Sequence, residues 1–480
     1  MNYRMIARIL ALVLFIMAAL LSLPLICALV YGESIVPFAF TMSVTVLIGG
    51  VLYLFKPRTG DIYAREGLVS VGLAWVIMSL LGAVPFVISG DIPSYTDAFF
   101  ETVSGFTTTG SSILNNVELL SKSGLFWRSF THWIGGMGVL VFIMAVLPMS
   151  GEHSMHIMRA EVPGPTVGKL VPKVRSTASI LYLIYIGLTV LETVFLLCGG
   201  MSFFDALLHA FASAGTGGFS TNAASIGGFD SVYIEMVIAV FLVLFGINFN
   251  LYYLILIGRA KDALRSEELH VFFGIILAST LSIAAGISKM YGGFATALRH
   301  SFFNVTSIIS TAGFGTQDFT KWPEYTKGIL VMLMFIGGCA GSTGGGLKLS
   351  RVMLLVKAAA ADVRQVINPR RVTRVQMDGK RVDGSTVKAA YTHFTLYMLL
   401  LVITSVLISF DGYDITTNFT AALSCLSNIG PGMTALIGPA GNFSIFSYTS
   451  KIVMTVAMLI GRLEIYPMLI LISPGLWRKK

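Results

Sequence analysis

The chain has 480 residues, of which 55% are hydrophobic and only 12% are charged, and its formal net charge is +9. Soluble domains carry roughly 25% charged residues, so this composition excludes a soluble protein and predicts a polytopic membrane protein. Most of the basic residues fall in predicted inner loops, as the positive-inside rule requires. A nucleic-acid partner is therefore not needed, and both termini are predicted to be cytoplasmic.

Apolar stretches of about 20 residues, long enough to cross a bilayer as a helix, predict ten spans. They lie at about 6–30, 35–55, 67–89, 127–149, 178–198, 231–257, 270–290, 326–355, 389–410 and 449–473. The first stretch is too long and too apolar for a cleaved signal, so we predict that it stays as a membrane anchor.

The predicted fold is an all-α polytopic membrane protein, with two leading transmembrane helices followed by four pseudo-repeated units around a central pore. The leading helices occupy residues 1–60, and the pore units occupy residues 61–150, 151–265, 266–360 and 361–480. Each unit contains a span, a re-entrant pore helix and a second span. All four units have the same orientation, as expected for parallel repeats about an axis along the membrane normal.

A short helical segment that runs into a glycine turn occurs four times, and the copies align without a gap. They occupy residues 97–110, 205–218, 300–313 and 417–430. The third copy continues as Thr311-Ala312-Gly313-Phe314-Gly315, which differs at two positions from the potassium-channel filter sequence TVGYG. One such loop alone is better explained as a turn between short interfacial helices. Four in register favour a single ion filter.

A filter replaces the water shell of a dehydrated cation with backbone carbonyls, and glycine reaches the required backbone angles at the lowest cost. The predicted potassium-binding residues are Thr108, Thr109, Gly110, Thr216, Gly217, Gly218, Thr311, Ala312, Gly313, Asn428, Ile429 and Gly430. After the aligned glycine, the other copies differ from the filter sequence. The first has Ser111, the second has Phe219 and then Ser220, and the fourth has Pro431. We therefore expect fewer good ion sites than in a fourfold ring, and modest selectivity over sodium.

A glycine-rich stretch, residues 337–348, interrupts the second span of the third unit. It is not a phosphate-binding loop, because Leu347 separates Gly346 from Lys348 inside an apolar segment. Its glycines are too many for a regular helix: Gly337, Gly338, Gly341, Gly344, Gly345 and Gly346. A broken helix at membrane depth is expected to line a cavity.

Two basic residues lie near this predicted cavity. Lys348 either belongs to the cavity or snorkels to the membrane surface. Arg462 lies within the last predicted span, and a charge at that depth is either functional or held in an ion pair with a neighbouring helix. Glu464, only two residues on, points away on a helix and is not a good local partner.

Acidic residues near the proposed outer mouth have two interpretations. Asp97, Glu101, Asp205 and Asp230 would concentrate cations there, or Asp97 and Asp205 would cap the pore helices at whose starts they stand.

Two other function classes are disfavoured. The spans carry no GxSxG, HExxH or paired-aspartate arrangement, so we predict no enzyme activity. A coupled carrier of organic solutes would need carboxylates within spans, and the only ones well inside are Glu192, Glu235 and Glu464, all near span ends. Transport of another monovalent cation, sodium or ammonium, remains the nearer alternative.

Over its whole length the chain resembles the Trk/Ktr/HKT superfamily of potassium transporters. The stretches that carry the resemblance are Arg159–Thr166, Gly337–Lys348 and Gly461–Pro467, together with the four glycine turns. The leading pair at 1–60 makes it similar to the bacterial Trk membrane subunits rather than to the shorter Ktr type.

The resemblance implies potassium uptake across the bacterial inner membrane by a homodimer. It also implies a TrkA-like cytosolic nucleotide-binding regulatory subunit, so that this chain itself binds potassium but no nucleotide. Residues 337–348 would be a flexible gate just below the filter, and Arg462 would stand in the ion path and oppose a cation.

Overall fold

The computed structural model describes residues 1–56, 64–138, 174–370 and 374–473. The stretch Arg159–Thr166 and the predicted boundaries at 60/61 and 150/151 lie outside these residues. The described part is helical apart from one short antiparallel hairpin, in which β1 (Gln376–Met377) pairs with β2 (Lys380–Arg381). The all-α polytopic architecture is confirmed.

The first predicted span is a pair of helices, α1 (Tyr3–Leu20) and α2 (Ser22–Tyr31), and the second is α3 (Val36–Tyr53). The Asn2 side chain caps α1 by accepting a hydrogen bond from the Met5 amide. Glu33, in the loop before α3, accepts hydrogen bonds from the backbone amides of Lys122 and Ser123 at 2.6 and 2.9 Å. This carboxylate fastens the leading helices to the rest of the bundle.

The remaining helices begin with a long helix and a short buried helix in each unit, and in the last three units a broken helix follows. They are α4 (Ala64–Ser89), α5 (Tyr95–Phe106), α6 (Lys122–Met137), α7 (Val174–Cys198), α8 (Phe203–Gly215), α9 (Val232–Gly246), α10 (Phe249–Leu256), α11 (Ala260–Leu264), α12 (Glu267–Ile287), α13 (Phe294–Ile309), α14 (Glu324–Ile336), α15 (Leu349–Ile367), α16 (Gly384–Ile408), α17 (Ile415–Ser427), α18 (Tyr448–Arg462) and α19 (Tyr466–Ile472). The short buried helices are α5, α8, α13 and α17.

Three of these short helices begin at a side-chain cap. Ser94 caps α5, Ser202 caps α8 and Asp414 caps α17, each by accepting a hydrogen bond from an amide in the first turn. Asp97 and Asp205 stand in the first turn, three residues after the cap. The interpretation of these two aspartates as helix caps was therefore wrong, because a serine hydroxyl already satisfies the amide.

Among the described residues, six helical segments are long and apolar enough to cross a membrane. They are Tyr3–Tyr31, Val36–Tyr53, Arg65–Ser89, Ala178–Cys198, Glu267–Ile287 and Gly384–Asp411. A seventh is added if α9 and α10, which meet at 89°, count as one span. The predicted span at 127–149 is described only up to residue 138.

Three predicted spans, at 231–257, 326–355 and 449–473, are each two helices. The prediction of a continuous span was wrong for the first and the third, whereas an interruption was predicted for the second. The first breaks after Gly246, where the Asn248 side chain accepts a hydrogen bond from the Asn250 amide and starts α10. The second breaks at the glycine-rich stretch, as its glycine content predicted. The third breaks at Glu464 and Ile465, whose φ angles are 56° and 69°.

Candidate functional site

The four aligned turns have the same backbone conformation. In each, a non-glycine residue at the helix end is left-handed, the next residue is not, and the following glycine is left-handed again. The φ angles are 54° at Thr108, 53° at Thr216, 64° at Thr311 and 56° at Asn428, then 78° at Gly110 and Gly218, 75° at Gly313 and 108° at Gly430. The left-handed backbone expected at the aligned glycines is confirmed.

These turns meet edge to edge in a closed ring, which we define as residues 108–110, 216–218, 311–313 and 428–430. A Cβ atom built on the glycine of one turn would collide with or touch a carbonyl oxygen of the next turn. The distances are 1.9 Å from Gly110 to Gly217 O, 1.9 Å from Gly218 to Ala312 O, 2.0 Å from Gly313 to Ile429 O and 3.0 Å from Gly430 to Thr109 O. The fourth turn thus returns to the first, and the three tight approaches admit only glycine.

A cavity of about 110 Å³ lies on one side of the ring, and the four aligned glycines, Gly110, Gly218, Gly313 and Gly430, line it. The segments that follow the turns form its wall, including Ser111, Phe219, Gly315 and Pro431. These are the positions at which the four copies differ in sequence. The structure therefore places around one cavity the residues at which the four turns differ in sequence.

The glycine-rich stretch 337–348, here called the glycine loop, lies against the opposite side of the ring. The Gly345 amide donates a hydrogen bond of 2.7 Å to the Thr311 hydroxyl. A Cβ atom on Gly344 would lie 2.7 Å from Ser310 O, and one on Gly345 would lie 2.4 Å from Ser427 O. The loop therefore packs directly on the backbone that leads into the third and fourth turns.

Glu268 connects the glycine loop to the first turn of α15, and sequence reasoning missed it. Its Oε1 atom accepts hydrogen bonds from the Ala340 amide at 2.7 Å and from the Ser350 amide at 3.0 Å. The residue stands in the first turn of α12 and is buried. A carboxylate at the start of an apolar span was a visible signal, but its partners are more than seventy residues away in the chain.

Lys348 does not reach the surface, since the residue is only 1% exposed. Its ammonium group donates to the Gly344 carbonyl and lies 3.5 Å from the Ser342 hydroxyl, so it folds back on the glycine loop. The snorkelling alternative was therefore wrong.

Arg462, the last residue of α18, joins the glycine loop to the end of α6. Its guanidinium donates to Thr343 O at 2.8 Å and to Gly136 O at 2.9 Å, and also to Gly135 O. Carbonyls at a helix C-terminus lack intrahelical donors, so the guanidinium satisfies groups that the helix leaves open.

Glu464 forms an ion pair with Arg351 at the start of α15. Because Glu464 lies at the break in the last span rather than on a continuous helix, it faces a partner from another helix. Sequence reasoning did not identify this pair.

The acidic residues near the cavity are mostly paired. Glu101 binds Arg128 at 2.6 Å and accepts a hydrogen bond from the Ile113 amide, and Asp97 binds Lys451 at 2.6 Å. Asp205 accepts hydrogen bonds from the hydroxyls of Ser202 and Thr221. Among the four predicted residues only Asp230 is exposed. The arrangement fits structural roles for the other three better than a cation-concentrating role.

Comparisons with known proteins agree with this architecture. The TrkH family, described as "Cation transport protein", matches residues 35–281 and 270–479. The Trk system potassium uptake protein TrkH of Salmonella typhimurium is 36% identical over 100% of both chains. The Trk system potassium uptake protein TrkG of Escherichia coli is 34% identical and covers 95% of this chain and 94% of its own.

A solved structure is also similar over its whole length. The crystal structure of the potassium transporter TrkH from Vibrio parahaemolyticus has a TM-score of 0.89 and 33% identity, covering 100% of both chains. With the family matched along nearly the entire sequence and full-length relatives above 30% identity, this chain belongs to the TrkH family of Trk potassium transporter membrane subunits.

Proposed function

We propose that this chain takes up potassium across the plasma membrane through the ring, with the glycine loop as its gate. Members of the family are transporters rather than enzymes, and the relatives above carry the name potassium uptake protein. The observation that carries the proposal is the closed ring of four turns with one repeated left-handed backbone. Such a ring offers carbonyl oxygens in place of the water shell of a cation.

The ring residues would bind the ion unequally. Thr109, Gly217, Ala312 and Ile429 occupy equivalent positions yet differ in size and polarity. Since a cation senses the number and rigidity of the oxygens around it, an unequal ring is expected to prefer potassium over sodium only modestly. The third turn, which most resembles the potassium-channel sequence, favours potassium over the alternative cations sodium and ammonium.

The glycine loop would obstruct the path on the side of the ring away from the cavity. It presses on the backbone of two turns, and the positive groups of Lys348 and Arg462 are both bound to its carbonyls. At an effective dielectric of ~20 and a separation of about 6 Å, one such charge raises the energy of a passing cation by roughly 3 kcal/mol. Moving the loop would remove both the obstruction and the charges.

We further propose that the chain lies in the bacterial inner membrane as a homodimer, with both termini cytoplasmic. The relatives are named as parts of a Trk system, which supports a regulatory partner. A TrkA-like nucleotide-binding subunit would then bind the nucleotide, and this chain would bind only potassium and lipid.

Reversal potentials of the purified protein in planar bilayers test the proposal. Under opposing potassium and sodium gradients, we expect a reversal potential shifted toward the potassium equilibrium value. The same measurement under opposing potassium and ammonium gradients tests the alternative that ammonium is the transported cation. Equal permeability to all three ions, or a larger one to sodium or ammonium, would overturn potassium selectivity.

A further inference from the structure

His132 lies directly behind the second turn of the ring. It belongs to α6, is 0% exposed, and stacks on the Phe219 ring with centroids 4.1 Å apart. A Cβ atom on Gly217 would lie 2.1 Å from His132 Nδ1 and 2.4 Å from its Cε1. The imidazole therefore fills the space that a side chain at position 217 would occupy.

In the other three turns the equivalent space is filled in a different way. They have a side chain of their own at this position, namely Thr109, Ala312 and Ile429. Counted from the helix N-cap, the residues that correspond to His132 in α9, α14 and α18 are Leu242, Met334 and Met458, all buried. Only the second turn thus lacks a side chain of its own at this position and has an imidazole from a neighbouring helix in its place.

Packing stability alone does not favour histidine here. Neither ring nitrogen has a hydrogen-bond partner among the residues that the structure describes. A buried polar group left in this state is destabilising, and an aliphatic residue would avoid the penalty. Filling the space behind Gly217 therefore does not by itself call for an imidazole.

The second turn is also the one that most needs external support. Gly217 and Gly218 are consecutive, whereas each other turn has a single glycine among its three ring residues. Glycine has the largest backbone freedom of any residue, so a double-glycine segment can rotate its carbonyls most easily. The carbonyl of Gly217 is the one that meets Gly110 of the first turn.

We propose that His132 is a positioning residue that braces Gly217 and thereby sets the ion selectivity of the ring. This inference rests on the proposed function, because it assumes that the ring conducts the ion. The flat imidazole limits the rotation of the Gly217 peptide from behind. The Gly217 carbonyl then stays directed at the ion, in the ring of backbone oxygens that replaces the hydration shell.

A pair of substitutions with a rescue tests the brace. His132→Ala removes the imidazole, and we expect the potassium-to-sodium permeability ratio to fall roughly two- to fivefold, the range set by the freedom that glycine regains. Gly217→Ala alone would collide with the imidazole and is expected to lower the ratio as well. The double variant places a methyl group in the vacated space, and we expect it to recover most of the parental ratio.

Leu242→Ala is the matched control, since it truncates the corresponding residue of α9. We expect a lower unfolding temperature in detergent but an unchanged permeability ratio. If His132→Ala does not insert into the membrane, His132→Val tests the same fall in the permeability ratio while leaving a smaller cavity behind Gly217. A parental ratio in a His132 variant, or a double variant no better than Gly217→Ala, would overturn the brace. A parent protein without potassium preference would instead refute the proposed function.

Discussion

At the scale of single residues, the ring depends on backbone that most side chains avoid. Thr108, Thr216, Thr311 and Asn428 are all left-handed, at a cost of roughly 1–2 kcal/mol each. Side-chain hydrogen bonds offset part of this cost. The Asn428 amide donates to the Thr109 hydroxyl at 2.9 Å and to Met458 O at 3.0 Å, which ties the fourth turn to the first and to α18.

Gly313→Asp should abolish potassium flux or bring the permeability ratio near unity while the protein still inserts. The new Cβ would lie 2.0 Å from Ile429 O at a φ of 75°, so the third and fourth turns must separate. Gly412→Asp is the control, because its φ is 82° but nothing lies within 4 Å. Bilayer recordings of both variants check this. Unchanged selectivity in Gly313→Asp would refute the filter assignment.

Arg462→Gln should raise potassium flux, because it removes both a positive charge and the link between α6 and the glycine loop. Raising the salt concentration should reduce the gain that comes from charge. Arg462→Lys keeps the charge but cannot bridge several carbonyls as a guanidinium does, so it should show only the part of the gain that comes from breaking the link. Flux measured in liposomes decides this. A lysine variant with parental flux would mean that charge alone matters.

At the scale of elements, the broken helices carry the candidate gate. The breaks between α14 and α15 and between α18 and α19 are connected by the Arg351–Glu464 ion pair, and Arg462 reaches from the second break to the glycine loop. Ile465, a β-branched residue with a φ of 69°, is a strained position of the kind found at functional sites. Movement at one break is therefore expected to reach the other.

Glu268→Ala should loosen the glycine loop and raise flux in the absence of a cytosolic partner. The Ala340 and Ser350 amides would each lose their acceptor, at about 1–3 kcal/mol apiece. Glu268→Gln, whose amide oxygen can still accept both bonds, should stay closer to the parent.

Deleting residues 341–346 should raise flux further, since the obstruction itself is removed. In that background Glu268→Ala should have no additional effect, because the loop it restrains is absent. Liposome flux of the single and combined variants checks both expectations. A deletion that inserts and conducts no faster than the parent would identify the loop as a packing element.

At the scale of the whole molecule, ion pairs join successive repeats. Lys451 at the start of α18 binds Asp97 of α5, and Glu235 of α9 lies 3.2 Å from Arg299 of α13. The two pairs connect equivalent elements but have opposite polarity. Lys451 of α18 therefore attracts Asp97 of α5 and would repel Arg299 of α13. Glu235 of α9 likewise attracts Arg299 and would repel Asp97.

Asp97→Lys should lower the unfolding temperature, because Lys451 would face a second positive charge while nearly buried. Combining it with Lys451→Asp should restore much of the loss. Glu324→Ala, which removes an exposed carboxylate from Lys327, is the control and should change stability by less than about 0.5 kcal/mol. Thermal unfolding in detergent measures all three. A double variant as unstable as Asp97→Lys would argue against the pair.

The sequence by itself determined the class, the long spans, the four aligned turns and the break at the glycine-rich stretch. These features follow from local chemistry: a bilayer demands apolar helices, and repeated glycines permit left-handed turns and prevent a regular helix. The breaks at Asn248 and Ile465 were not predicted, because the flanking residues are apolar enough to continue a span.

Tertiary structure alone decided the partners. Glu268 and the glycine loop, Arg351 and Glu464, and His132 and Gly217 are far apart in the chain and share no motif. A buried charged side chain can oppose a passing cation or hold two elements together. Which of the two it does depends on the groups that surround it in the fold, and composition carries no information about those groups. The closed order of the ring likewise follows from close contacts between neighbouring turns, which only the packed bundle brings together.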